Sequence, residues 1–466
     1  MNFPPLVSNT NIHAVLKSCI TNLYFILHRN QEESVRLLIR EIFNHLKNAN
    51  RNKFYESLLR RIVMHTRNIK NGKGERTVFY VCVFEWFSYN KEQAIDIIDY
   101  LVYKSTYIET SNVEYTKEER DEINTRTSEF KHAPYGSWRD IRAIAEYVYR
   151  TENADHPLIQ YCILLMNHQL TNDYYHFRID SGNISNVVKW IPRERSKWKW
   201  MFDALVEKWS DSPFRENKNK CCMKYRKMCS ALNAHLSSGG KSEASSGKIG
   251  WAYYPGKYLS DSTSDLEWQK SIEKHRLIFG SFANVLPMID ARLEGRDMNT
   301  AIGLSLAIAE LSSFGKRILC MGHNPAWISI PAEYGLTQSA KHLSSCISES
   351  PLCRIEQSIG LLIQSFVDSG MTSADIEQVC LVVFSSMDFG EVMLHNKIQS
   401  MFLINSMQIP HIIYWGISTN VLPCSFDTPR TTLVSGESSS EFQMICNMDF
   451  AERRNSTPYL AIRKNL

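Results

Sequence analysis

"NVLPMIDARLEG", Asn284 to Gly295, decides the fold of the second half of this chain. Val285 to Ile289 is a short apolar run that ends on an aspartate, with no polar alternation inside it. A run of this kind reads as a strand buried on both faces, the signature of a parallel sheet covered by helices. Working outward, "RILCMG", "QVCLVVFSS" and "HIIYWGIS" repeat the pattern. Between them lie amphipathic segments: "DMNTAIGLSLAIAELSSF", "CRIEQSIGLLIQSFVDSG" and "GEVMLHNKIQSMFLINSM". Strands alternating with helices make βα units, hence a doubly wound parallel sheet. Such a sheet binds ligands outside the carboxyl ends of its strands, where Asp290 falls.

The first half has a different texture. "NQEESVRLLIREIFNHLKNA" places Val35, Leu38, Ile39, Ile42, Phe43 and Leu46 on one helical face. "KFYESLLRRIVMHTRNI" repeats the period and ends at Gly72 and Gly74. "RTVFYVCVFEWF", "KEQAIDIIDYLVYKS", "WRDIRAIAEYVYRT", "HPLIQYCILLMNHQL" and "KWKWMFDALVEKWS" continue a helix-after-helix series. Without a clean sequence period, HEAT-like is an architectural label for this series. "LSSGGKSEASSGKIG" reads as a linker, and "WQKSIEKHRLIFGSF" as a connecting helix returning to the helical part.

The 466 residues, 44% hydrophobic and 22% charged, suit a globular chain of two or three domains. A net charge of +4 excludes global basicity, so the placement of charge matters. Twelve cysteines without a CxxC pair or zinc spacing point to a reducing compartment. No apolar run reaches the roughly 20 residues of a membrane span, and the N-terminus has no secretory pattern. A cytoplasmic protein with no membrane partner is expected.

At Asp290 the chain resembles the von Willebrand factor A-like domain, whose first strand ends in an Asp-x-Ser-x-Ser metal motif. "AIGLSLAIAEL" and "FSSMDFG" are similar to one branch, the Ro ribonucleoprotein (TROVE-like) proteins and their uncharacterised plant, fungal and viral relatives. "TRNIKNGKGERTVFY", "APYGSWRDI", "VVKWIPRE" and "YRKMCSAL" resemble motifs of those relatives, in the same order. The resemblance implies a HEAT-like helical-repeat domain over 1–235, a linker and connecting helix over 236–280, and an A-like domain over 281–466. It also implies RNA as the partner. The metal motif departs from the pattern: Asp290 stands, but Arg292 and Glu294 replace the serines, and Ser386 replaces a third-loop aspartate. A guanidinium cannot ligate a cation. The expectation is a degenerate metal site at Asp290, Arg292, Glu294, Ser386 and Asp388, with no cofactor. The alternative is a nonstandard site using Asp290, Glu294 and Asp388.

Two basic stretches are the candidate RNA-binding residues. Arg60, Arg61, His65, Arg67, Lys70, Lys73 and Arg76 surround the turn "KNGKGER", whose backbone N–H groups suit phosphate. Lys189, Arg193, Arg195, Lys197 and Lys199 interleave with Trp190, Trp198 and Trp200, and cations beside aromatics suit unpaired nucleic acid. "RENKNKCCMKYRK" adds further cations. For each stretch the bland reading is a solvated face. No nucleophile with its base, metalloprotease motif or kinase signature is found, so no enzyme is expected. The rival class is a structural or assembly scaffold, possible in a viral setting, contacting proteins through the C-terminal domain.

Overall fold

The computed structural model describes residues 12–49, 52–68, 71–103, 105–107, 130–132, 134–179, 184–209, 218–238, 263–279, 284–347, 355–389, 393–417, 419, 421–436, 441–442 and 450–466. Three helices open the chain: α1 (Ile12–Ile26), α2 (Glu32–Asn48) and α3 (Lys53–Arg67). The Asn52 side chain accepts from the Phe54 backbone N–H and so caps α3. The stripe predicted for α2 is the buried one, Val35 through Leu46. Next come α4 (Thr77–Tyr89) and α5 (Lys91–Val102), then a small antiparallel pair, β1 (Ser105–Tyr107) with β2 (Phe130–His132).

The helical series resumes with α6 (Trp138–Thr151), α7 (Pro157–Arg178), a 3₁₀ turn (Val187–Trp190), α8 (Lys199–Trp209) and α9 (Lys218–Ser237). A capping box between Ser137 and Asp140 starts α6, and Pro157 starts α7 at the position where a missing N–H costs nothing. Consecutive helices pack on one another, and α9 lies on α7, α8 and the 3₁₀ turn.

After α10 (Thr263–Phe279) the α/β part begins: β3 (Val285–Asp290), α11 (Gly295–Leu311), β4 (Arg317–Met321), β5 (Ala326–Ser329), α12 (Leu336–Cys346), α13 (Ile355–Asp368) and α14 (Ser373–Glu377). It ends with β6 (Cys380–Ser385), α15 (Leu394–Ile404), β7 (His411–Gly416), β8 (Thr431–Ser435), α16 (Phe450–Asn455) and α17 (Pro458–Asn465). The sheet order is β5-β4-β3-β6-β7-β8, parallel except for the antiparallel edge strand β5. Every residue of β3 is buried, as its unbroken apolar run requires. Val285 and Ile289 face a core with α10, α11 and α12, while Leu286 and Met288 face one with α13 and α15. Helices therefore cover both faces.

The chain divides into two compact units along lines that the linear boundaries at 235 and 281 do not follow. Residues up to 78 join those from 248 onward, and 79–247 form the other unit. The physical reason lies in α1. It packs on β8 and α17, and its Phe25 belongs to one of the two sheet cores. Gly416 at the end of β7 accommodates that ring, since a Cβ there would stand 2.5 Å from Phe25 Cζ. The expected connecting helix, α10, joins the sheet core through Trp268 and Ile272. Most of the expected linker, 239–262, lies outside the described residues.

Candidate nucleic-acid interface and the rim of the sheet

At the carboxyl end of β3, Asp290 is fully buried. Arg292 turns back on it: Nε donates to Oδ1 at 3.0 Å, Nη2 to Oδ2 at 2.7 Å, and the Arg292 backbone N–H to Oδ1 at 3.0 Å. Ser385, the last residue of β6, donates to Oδ2 at 2.6 Å. The remaining guanidinium nitrogen, Nη1, donates to the Asp388 backbone carbonyl at 2.7 Å, and the Phe389 ring lies 4.3 Å from its centre. The fork is bidentate, the strongest arrangement open to this pair. Both carboxylate oxygens that would face a cation are already occupied by donors. Glu294 is exposed at the N-cap of α11 and makes no capping hydrogen bond. Asp388 contributes its backbone, with an exposed side chain. Ser386 is half-buried, and the hydroxyl that meets Asp290 is its neighbour Ser385. The rim is thus filled from within by Arg292. Residues 348–354, which precede α13, lie outside the described residues.

In the turn predicted to cradle phosphate, Lys73 points inward. Lys73 is 5% exposed and Arg67 is 0% exposed. The Lys73 ammonium donates to Ser435 Oγ at 2.7 Å and to the Tyr24 carbonyl, and sits 4.0 Å from the centre of the Tyr24 ring. Tyr24 donates to Glu441 Oε1 at 2.8 Å, and His65 Nε2 meets the same oxygen at 3.0 Å. Gly72 is required here, since a Cβ would lie 1.9 Å from the His65 carbonyl. Burial, partly offset by Glu441 and Glu75, lowers the Lys73 ammonium to about 8. Glu441 stays below its usual range although burial pushes it up, because His65, Lys73 and Tyr24 favour its charged form. Arg60, Arg61 and Arg76 are half-buried, each with a partner of its own, and Lys70 lies outside the described residues. Within the first basic stretch, His65 and Lys73 thus join an internal polar network. Its burial follows from α1 and β8 closing over the turn, which no local spacing reveals.

The second stretch is presented to solvent. Lys189, Arg193, Arg195, Lys197 and Lys199 are all exposed, while Trp190, Trp198 and Trp200 are half-buried between them. Arg142 from α6 lies over Trp190 at 5.2 Å and over Trp198 at 4.6 Å, and Arg139 lies over Trp190 at 5.5 Å. Lys197 covers Trp198 at 4.4 Å. Trp200 stacks on Tyr149 with centroids 4.0 Å apart and an 8° interplanar angle. Arg226 of α9 pairs with Glu194 at 3.0 Å, and Lys220, Lys224 and Lys227 on the same helix are exposed. Over 187–237 there are twelve lysines and arginines against five acids, a larger surplus than the +4 of the whole chain. The sequence reading missed Arg139 and Arg142; their i, i+3 spacing in "WRDIR" was the available signal.

Residues 283–459 are similar to a domain family of unknown function, DUF7788. That match opens two residues before β3 and runs into α17. No curated protein matches the chain. No helix among the described residues is long and apolar enough to cross a membrane.

Proposed function

We propose that the protein is a noncatalytic RNA-binding protein, gripping unpaired RNA on the helical unit through Lys189, Arg193, Arg195, Lys197, Lys199 and the exposed face of α9. The observation that supports this most directly is the exposure of all five cations around arginine-covered tryptophans. The cations neutralise phosphates with counterion release, while the Arg142 and Arg139 guanidinium planes and the Tyr149–Trp200 stack offer flat surfaces to bases. The tryptophan faces under Arg142 are already used, so the arginines are the stacking groups there. The sheet unit is read as von Willebrand factor A-like, on its strand order and antiparallel edge strand, and the helical unit as HEAT-like. Its metal rim is degenerate because Arg292 replaces the ion. The resemblance to Ro ribonucleoproteins agrees with an RNA ligand.

The test is binding of a single-stranded oligoribonucleotide across a salt series. Affinity should fall with a log–log slope of about −0.7 per phosphate contact. Lys189→Glu with Lys197→Glu should weaken binding about tenfold or more and flatten that slope. Salt-independent affinity, or no response to the reversal, would sink the reading.

A second reading is a scaffold that contacts proteins through the sheet unit. It is favoured by Leu403 and Ile404 at the end of α15, which are 66% and 81% exposed. Protein association that survives nuclease and is lost in Leu403→Ser/Ile404→Ser would support it.

A further inference from the structure

Cys19 on α1 and Glu41 and His45 on α2 form a cluster apart from both sites described above. Their candidate ligand atoms all lie within 4.8 Å of one another, and all three residues are half-buried. Glu41 and His45 are one helical turn apart and face the same way, with His45 Nε2 3.6 Å from Glu41 Oε1. Cys19 reaches them from the neighbouring helix, because α1 and α2 pack side by side.

We propose that Cys19, Glu41 and His45 bind a zinc ion, with water as the fourth ligand. Ligand atoms around a tetrahedral zinc stand about 3.3–3.6 Å apart, from bond lengths of about 2.0–2.3 Å. The Glu41–His45 separation already matches this. The thiol has at most about 1.5 Å to close, within reach of a side-chain rotation. A thiolate and a carboxylate neutralise the dication, and a neutral imidazole completes the protein set. Soft sulfur and nitrogen donors select zinc over magnesium or calcium. Partial exposure of Glu41 and His45 leaves the ion an entry path and a place for water. A coordinated thiol is deprotonated outright. Each ion bound thus displaces one proton from Cys19 to solvent, and affinity should rise with pH.

The experiment uses the full chain, reduced and stripped with chelator, with cobalt and then zinc as probes. One equivalent of cobalt should give a thiolate charge-transfer band with tetrahedral visible absorption, and zinc should bleach both. Cys19→Ser should remove the charge-transfer band. Glu41→Gln and His45→Ala should each weaken zinc by about tenfold or more. Cys346 and His342 are the competing surface pair, with Sγ 3.9 Å from Nε2, so Cys346→Ser is the control and should change nothing. Zinc should also protect Cys19 of the unaltered protein from alkylation while Cys346 reacts, a readout that needs no variant to fold. A band that survives Cys19→Ser, that follows Cys346, or alkylation of Cys19 unaffected by zinc, overturns the site.

Discussion

At the scale of single residues, Arg292 and Lys73 show how far chemistry follows from position. The incompatibility of Arg292 with a metal was legible in "DARLE", because a guanidinium donates and never ligates. What the sequence could not supply was the partner geometry, in which Ser385 and the Asp388 carbonyl complete the network. Removing the guanidinium strands a fully buried carboxylate, so Arg292→Ala should cost roughly 3–5 kcal/mol in chemical denaturation. Arg292→Ser with Glu294→Ser should be similarly weakened without metal. It should recover about 2–3 kcal/mol with magnesium at a hundredfold excess over its Kd. An equal magnesium response from the unaltered protein would defeat the account of a rim filled by arginine. Lys73 carries the opposite lesson. A lysine in a glycine-rich turn reads as a phosphate ligand, yet here it is an interior group bonded to Ser435. Reversing its charge would report on stability and says nothing about RNA.

At the scale of elements, the strands that were legible are the apolar ones, β3, β4, β6 and β7. Their runs are buried on both faces and admit one interpretation. β8 was not legible. "TTLVS" is mostly polar, and its burial depends on hydroxyls satisfied from afar, such as Thr432 Oγ1 with His411 and Ser456. β5 was missed because a short, half-exposed edge strand carries little hydrophobic signal. The docking of α1 and the α3 turn onto β8 was equally hidden, being built from pairs more than 350 residues apart, such as Lys73 with Ser435 and His65 with Glu441. This docking gives an element-scale expectation. Lys73→Met and Glu441→Gln should each destabilise the fold, since each leaves the remaining charge buried without its counterpart. The double variant should be less damaged than the sum of the two, with a coupling of about 1–3 kcal/mol in a double-mutant cycle. Additive losses would mean that Tyr24 and Ser435 hold the two charges independently.

At the scale of the molecule, the cation-rich stretch 187–237 belongs to the helical unit, while the buried titratable groups lie mainly with the sheet. The acid response of the protein should follow from the second fact. Burial lowers His395 to about 4 and His411 to about 3, and it lowers His28 as well. His411 accepts from Thr432 Oγ1 through Nε2 and donates to the Arg453 carbonyl through Nδ1, an arrangement suited to the neutral ring. The unfolded chain takes up protons near pH 6.5, whereas the folded chain refuses them until pH 4 or 3. The stability these rings contribute is therefore complete above pH 6.5 and drains away as pH falls below it. The loss should reach roughly 2 kcal/mol for each of His395 and His411 by pH 5. Lys73 acts in the alkaline direction: the folded state gives up its proton near pH 8 while the unfolded chain keeps it to about 10.5, so its contribution grows across that window. Denaturant titrations from pH 7.5 to 5 should show the midpoint falling steadily. His411→Asn should start less stable and fall less steeply, having one fewer ring to protonate. A profile equally steep with and without His411 would place the acid sensitivity in the carboxylates, and the buried histidines would then contribute packing alone.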